Sequence, residues 1–176
     1  MRTLNKIRYF VVSPTVFLSF FKEYIIKEVK ILMFLPECPY IIKLYEVYES
    51  NDEMIMILEY MPGKDLYHHI KNTEKISEPQ AFIYFSQILK GLLFLHFHGI
   101  CHRDIKPENI LFQDEMKLKI ADFSLAEYYH ENEMKCVCGT PGYMAPEIFT
   151  REAYNEKIDI FSLGVVLYSM YNNFFF

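Results

Sequence analysis

Residues 102–111 read His-Arg-Asp-Ile-Lys-Pro-Glu-Asn-Ile-Leu, which sets two carboxylates, a lysine and a carboxamide within the six residues 104–109. A further acid, Asp122, follows in Ile120-Ala121-Asp122-Phe123-Ser124. Carboxylate and carboxamide oxygens are the ligands that a hard cation such as Mg²⁺ prefers. A lysine neutralises phosphate, and a carboxylate can orient a hydroxyl and take up its proton. Together these residue types suit the handling of a charged phosphate beside a nucleophilic hydroxyl. That chemistry depends on positioning, so the loop needs rigid mounts on both sides.

The upstream mount is a long apolar helix. Ser77-Glu78-Pro79-Gln80 reads as a capping box, with Ser77 capping the helix start and Gln80 reaching back to it. Pro79 is tolerated in the first turn, where its missing N–H had no helical partner. Ala81, Phe85, Ile88, Leu92 and Leu95 form one stripe, which Phe82, Leu89 and Leu93 widen, so this helix is expected to be buried on most sides. Gly99 ends it. Downstream, 110–112 and 118–120 read as short strands around a polar turn at 113–115.

Earlier in the chain, 21–35 carries Ile25, Val29 and Leu32 on one helical face and stops at Pro36. Residues 41–49 and 54–60 read as two strands joined by a polar turn at 50–53. Met61-Pro62-Gly63 breaks the pattern as a linker would, and 65–71 is a short helix. From 123 to 143 the chain is polar and irregular, a length usual for functional loops. Residues 146–149 open a short helix, and 159–170 form an apolar helix with Asp159 placed to cap it.

The 176 residues suffice for one sizeable core, and 14 Tyr and 16 Phe argue against disorder. A net charge of −5 argues against a general nucleic-acid binder. The four cysteines include no Cys-x-x-Cys pair, which disfavours structural zinc and suits reduced thiols in a cytoplasmic protein. Residues 1–8 carry three positive charges and 9–21 are uncharged, as in the opening of a signal peptide. The apolar run is too short to span a membrane comfortably, and Lys22-Glu23-Tyr24 follows instead of a cleavage site. No membrane association is expected.

Residues 102–111 resemble the catalytic loop of the eukaryotic protein kinases, and Asp122-Phe123-Ser124 resembles their metal-binding Asp-Phe-Gly. The resemblance implies an α+β, protein-kinase-like two-lobe fold, here truncated. A partial small β lobe would occupy 22–60, the hinge and linker 61–66, and a mostly helical large lobe, incomplete after its central helix, 67–176. Residues 1–21 would be a remnant or misjoined edge of the small lobe. ATP and Mg²⁺ are the implied cofactors, and a protein with a Ser or Thr acceptor is the implied partner. Asp104 would orient the acceptor hydroxyl and take its proton, Lys106 would sit against the γ-phosphate, and Asn109 and Asp122 would hold the metal. Asp-x-Lys-x-x-Asn and residues 139–147, Gly-Thr-Pro-Gly-Tyr-Met-Ala-Pro-Glu, resemble the serine/threonine group, in which Thr140 bonds to the catalytic Asp and Lys. Leu58 looks like the gatekeeper, and Glu59-Tyr60-Met61 like the hinge whose backbone meets adenine. Asp65 would bind the ribose and Leu111 would floor the adenine. Glu108 would either pair with a basic residue before the acceptor or be a solvated acid. His102, Phe123, Leu32 and Leu44 fit the apolar spine joining the lobes. Asp159 resembles the central-helix Asp that bonds the catalytic-loop backbone.

Several positions depart from the family. No glycine precedes Gly63, so no glycine-rich phosphate loop is found. Nor is the strand lysine that pairs with Glu28, and Lys6 has no matching surroundings. The usual Arg partner of Glu147 is absent, and apolar faces of the 159–170 helix are expected to be exposed. Ser124 replaces a Gly, and its Cβ disfavours positive φ by roughly 1 kcal/mol. Cys136 stands where related kinases carry an activating phospho-Thr, leaving Arg103, which answers that phosphate in the family, without an obvious anion. Either Cys136 oxidation is a substitute switch or activation needs no phosphorylation. Three readings stay open: an ATP-dependent serine/threonine kinase of calcium/calmodulin-dependent flavour, a degenerate kinase fold that docks partners, and an incomplete gene-model fragment of an active kinase. For the polypeptide as written, weak or no phosphotransfer is expected.

Overall fold

The structure, a computed structural model, describes residues 7–12, 18–49, 54–130, 133–150 and 152–173, with side chains from Glu23 onward. The expected turn at 50–53, Lys6 and the terminal aromatics at 174–176 lie outside the described residues.

The first half builds a small sheet with one helix against it. Its elements are β1 (Ile7–Val12), α1 (Leu18–Phe34), β2 (Leu44–Glu49) and β3 (Met54–Glu59). The sheet order is β1-β3-β2, antiparallel throughout, and the register sets Arg8 across from Leu58 and Val47 across from Met56. Met56 and Leu58 are buried while their neighbours are less so, the period-two pattern of a strand with one covered face. Helix α1 turns Val29 and Leu32 into the core, as its spacing implies, together with Ile31. The strand expected from Ile41 starts only at Leu44. Residues 40–42 pair instead with the second half of the chain: Ile42 N–H donates to Ile120 O (2.9 Å) and Ile120 N–H to Tyr40 O (2.8 Å).

Residues 61–65 cross over to that second half. Gly63 N–H donates to Phe112 O (2.9 Å), and a Cβ at Gly63 would lie 2.5 Å from Phe112 Cβ, so only glycine lets the linker lie this close. Asp65 caps α2 (Leu66–Asn72) by accepting from His68 N–H at 2.8 Å. Helix α3 (Glu78–Phe97) starts at Ser77, whose hydroxyl accepts from Gln80 N–H. The Gln80 side chain does not reach back as expected; it donates to Tyr84 Oη at 2.6 Å. The buried stripe is Ala81, Tyr84, Ile88, Gly91, Leu92 and Leu95, narrower than the sequence suggests, with Phe82 and Leu93 exposed. Tyr84 takes an inner position because its hydroxyl finds Gln80 and Glu115 O, which a tyrosine needs when buried.

The remaining elements are β4 (Ile100–Cys101), a 3₁₀ turn at Pro107–Asn109, β5 (Ile110–Phe112), β6 (Leu118–Ile120), β7 (Glu127–Tyr128), a second 3₁₀ stretch at Pro146–Thr150 and α4 (Lys157–Asn172). β5 pairs with β6, and β7, unforeseen from sequence, pairs with β4. Helix α4 begins two residues before Asp159, so Asp159 is not its cap. That side chain is fully buried, for a reason given below. Ile160, Phe161, Tyr168 and Tyr171 of α4 are exposed, in line with the apolar surface expected there. No helix among the described residues is long and apolar enough to cross a membrane.

Candidate active site

The loop between β4 and β5 is held from beneath by Asp159. Its Oδ2 accepts the backbone N–H of His102 (2.8 Å) and its Oδ1 that of Arg103 (2.9 Å). His96 Nε2 lies 2.9 Å from the same carboxylate and the Cys101 thiol donates to it at 3.3 Å. Burial pushes this carboxyl up, but the bonds from His96 and the His102 backbone outweigh it and hold it below its ordinary value. The loop turn places Arg103 at a φ of 67°, a left-handed conformation uncommon for a side chain of this size. His102 is buried edge-to-face on Phe123, with ring centroids 5.0 Å apart. Its Nε2 lies 3.1 Å from Ala121 O, and its Nδ1 accepts from Asp104 N–H. These two contacts assign the ring proton to Nε2.

Asp104 is the hub of the loop. Its Oδ1 accepts the Thr140 hydroxyl at 2.6 Å, and its Oδ2 meets Lys106 Nζ at 2.8 Å and Asn109 Nδ2 at 3.0 Å. Lys106 Nζ also donates to Thr140 Oγ1 at 2.7 Å, closing a triangle of Asp104, Lys106 and Thr140. Burial raises the Asp104 carboxyl, yet Lys106 and Thr140 hold it below the ordinary carboxylate range, so it is an ionised acceptor at neutral pH. Thr140 gets there through its neighbour: Gly139 has a φ of 117°, and a Cβ on it would lie 2.8 Å from Arg103 O. Ser162 of α4 steadies the same platform by donating to Tyr143 O at 2.7 Å.

Above this cluster lies a cleft of about 410 Å³, lined by Ile25, Glu28, Ile42, Met56 and Leu58 on one side and by Asp65, Glu108, Asn109, Leu111, Ala121 and Asp122 on the other. Six of the expected site residues therefore face one cavity: Leu58, Asp65, Glu108, Asn109, Leu111 and Asp122. Glu59 and Met61 do not line it. Glu59 pairs with Lys119 at 2.7 Å and Met61 is buried in the core. The backbone N–H of Glu59 is also taken, by Lys43 O at 2.8 Å. Asp65 combines helix capping and a pairing with His68 (2.8 Å) with its place in the cavity wall. Ala121 N–H donates to Asn109 O (2.9 Å), which fastens the Asp122 segment to the loop. Asn109 uses its carboxamide nitrogen on Asp104, so its oxygen is the atom suited to a cation. With the Asp122 carboxylate it makes a two-oxygen donor set. That fits Mg²⁺, which completes its shell from waters and substrate phosphates.

Asp122 itself holds a φ of 61°, and its Oδ1 accepts Ser124 N–H at 3.2 Å. Ser124 is not among the residues with positive φ, so its Cβ carries no strain in this conformation. Glu28, from α1, accepts the Phe123 N–H at 3.1 Å. Burial pushes its carboxyl up to about 7, against that hydrogen bond and with added repulsion from Asp122. Sequence reasoning missed two participants. Lys27 Nζ reaches Glu127 Oε2 at 2.7 Å, and Arg103 Nη2 reaches the same oxygen at 3.4 Å. No local motif marks either acid or base, because the partners lie far apart in the chain.

A family profile described as the protein kinase domain matches residues 15–176. The chain is 43% identical over 134 residues to the carbon catabolite-derepressing protein kinase of Saccharomyces cerevisiae, covering 75% of this chain and 21% of that protein. It is 39% identical over 145 residues to the SNF1-related protein kinase catalytic subunit alpha KIN12 of Arabidopsis thaliana, covering 82% of this chain and 29% of that one. With the ovarian-specific serine/threonine-protein kinase Lok of Drosophila melanogaster it shares 38% over 152 residues, 82% of this chain and 32% of the other. The chain thus spans about a fifth to a third of the length of these relatives. A family match over most of the chain, joined to serine/threonine kinase relatives of this identity, leads to one assignment: the chain belongs to the eukaryotic protein kinases of the serine/threonine type.

Proposed function

We propose that the cleft binds ATP with Mg²⁺ and that the loop transfers the γ-phosphoryl group to a Ser or Thr hydroxyl of a protein substrate. The observation that carries this reading is the Asp104–Lys106–Thr140 triangle, closed at 2.6–2.8 Å beneath the cavity wall that bears Asp122. Asp104 is ionised and already holds one hydroxyl, that of Thr140, in the manner in which it would orient the acceptor's. Its other oxygen, held by Lys106 and Asn109, fixes the carboxylate plane. As the acceptor oxygen attacks, its proton passes to Asp104. Lys106 then lies where its charge can meet the developing charge on the transferred group. Asn109 and Asp122 would hold the metal, which when bound neutralises phosphate oxygens. Leu58 and Leu111 would close on adenine, with the backbone of Glu59 and Met61 as its hydrogen-bonding edge. Asp65 would take the ribose. Glu108 is exposed at the cavity wall, where it would pair with a basic residue before the acceptor.

For the 176-residue chain we expect weak or no phosphotransfer, below the roughly 1–100 s⁻¹ usual for kinases, because its sequence offers no glycine before Gly63 to cover the triphosphate. A second reading, a nucleotide-binding module without turnover, is favoured by Glu28, whose carboxylate engages Phe123 N–H. One experiment separates the two: radiolabel transfer from ATP to Ser- and Thr-containing peptides, beside calorimetric titration with Mg·ATP. Slow transfer abolished by Asp104→Asn, with ATP binding retained, supports the first. Binding with no transfer above the Asp104→Asn background supports the second.

A further inference from the structure

The Arg103 guanidinium is nearly buried, and a buried cation needs an anion. Cys136, the position from which a phosphate would be expected, offers none. The anion comes from Glu127, five residues after Asp122. Its Oε2 takes Lys27 Nζ at 2.7 Å and Arg103 Nη2 at 3.4 Å. Arg103 also donates through Nε to Leu125 O at 2.6 Å. Lys27 has a neighbour in this work, because Glu28, the next residue of α1, accepts Phe123 N–H at 3.1 Å. The segment after the metal-binding acid is therefore held at residues 123, 125 and 127. The two ends are held by adjacent residues of α1 and the middle by the catalytic loop. Phe34, near the end of α1, adds an edge-to-face contact with Tyr128, centroids 6.0 Å apart. β7 pins the same two residues, 127 and 128, to β4.

We infer that Glu127 is a built-in anion that holds α1 against the catalytic loop, so that Glu28, Asp104 and Asp122 reach their mutual positions without a phosphate on the segment that follows. This makes Glu127 a positioning residue acting through Lys27 and Arg103. The inference rests on the phosphotransfer reading for its kinetic consequence but not for its structural one.

The test uses the 176-residue chain, shown by mass spectrometry to carry no phosphate, with Glu127→Gln, Glu127→Asp, Lys27→Met and the Lys27→Met/Glu127→Gln double variant. Amide hydrogen exchange is followed at 24–34 and 122–129 beside peptide phosphorylation. Expected is at least tenfold faster exchange in both segments for Glu127→Gln, with much of the protection kept in Glu127→Asp, which retains the charge. In the Lys27→Met background Glu127→Gln should add less than threefold at 24–34, whose link to Glu127 is Lys27, which generalised loosening would not produce. Turnover should fall about tenfold in Glu127→Gln while the KM for peptide stays within twofold. Unchanged exchange in Glu127→Gln, or full additivity with Lys27→Met at 24–34, overturns the inference. So does a wild-type chain whose α1 tightens only after phosphorylation. A wild type with no transfer at all removes the phosphotransfer reading, and the exchange data then decide the role of Glu127 alone.

Discussion

Asp159→Ala is the substitution that most directly tests how the loop is held. The wild-type carboxylate is fully buried and accepts the backbone N–H groups of His102 and Arg103, with His96 and Cys101 as further partners. Alanine leaves two buried backbone donors without an acceptor, at about 1–3 kcal/mol each, and takes a hydrogen-bond partner from His96 and Cys101. The expected loss is about 4 kcal/mol, a large share of the roughly 5–15 kcal/mol that separates folded from unfolded states in a typical domain. Urea unfolding followed by circular dichroism, with linear extrapolation at constant m, measures it. The pH dependence supplies a second check. The folded carboxyl titrates below its ordinary value of 3.8, so its contribution is complete above the unfolded value and fades as the pH falls past it. The gap between wild type and variant should accordingly be flat from pH 8 to pH 5 and narrow below about pH 4. A loss under 1 kcal/mol, or a gap that widens on acidification, would refute the claim that Asp159 is the loop's support.

Glu28 has the opposite sign. Its folded carboxyl lies near 7 against an ordinary 4.5, so the folded state binds the extra proton and stability falls as the pH rises from 4.5 through 7. Glu28→Gln should match wild type near pH 4 and exceed it by up to about 3 kcal/mol at pH 8, and parallel unfolding curves would defeat this. Lys119→Met should destabilise by about 3 kcal/mol because it strands the part-buried Glu59. Adding Glu59→Met should return most of that loss in a double-mutant cycle, and simple additivity would count against the pairing. Thr140→Val should lower peptide turnover about a hundredfold by freeing Asp104 and Lys106 from their shared hydroxyl. Equal loss of turnover under peroxide in wild type and Cys136→Ser would remove the redox role for that thiol.

The legible parts of this molecule were those with a local chemical signature. Asp104, Lys106, Asn109 and Asp122 stand close together in a distinctive order; Asn109 and Asp122 line the cleft, while Asp104 and Lys106 bond to each other and to Thr140. The four-and-three spacing of Ile25, Val29 and Leu32 located two buried residues of α1, Val29 and Leu32, while Ile25 is half-buried and Ile31 went unforeseen. Local signatures also misled. An Asp ahead of an apolar run looks like a cap, but Asp159 serves a loop 56 and 57 residues away. A β-rich run from Ile41 looks like a strand, though its first residues pair across to Ile120. Tyr84 reads as half-polar until Gln80 and Glu115 O give its hydroxyl a place inside. The Lys27–Glu127 pair, 100 residues apart, leaves no trace in spacing at all. What decides such positions is the partner that tertiary folding delivers.

Two fastenings described above have a mechanical consequence. Residues 40–42 are bonded to Ile120, and residues 63–64 are bonded to Phe112. Two backbone anchors define an axis, and a turn of the first half about it must first release the Lys27–Glu127, Glu28–Phe123 and Lys119–Glu59 contacts. Leu111 and Ala121, each next to one anchor, move with the stationary side. Any widening of the cleft therefore falls on Ile25, Met56 and Leu58, while Ile42, Leu111 and Ala121, at or beside the anchors, keep their spacing.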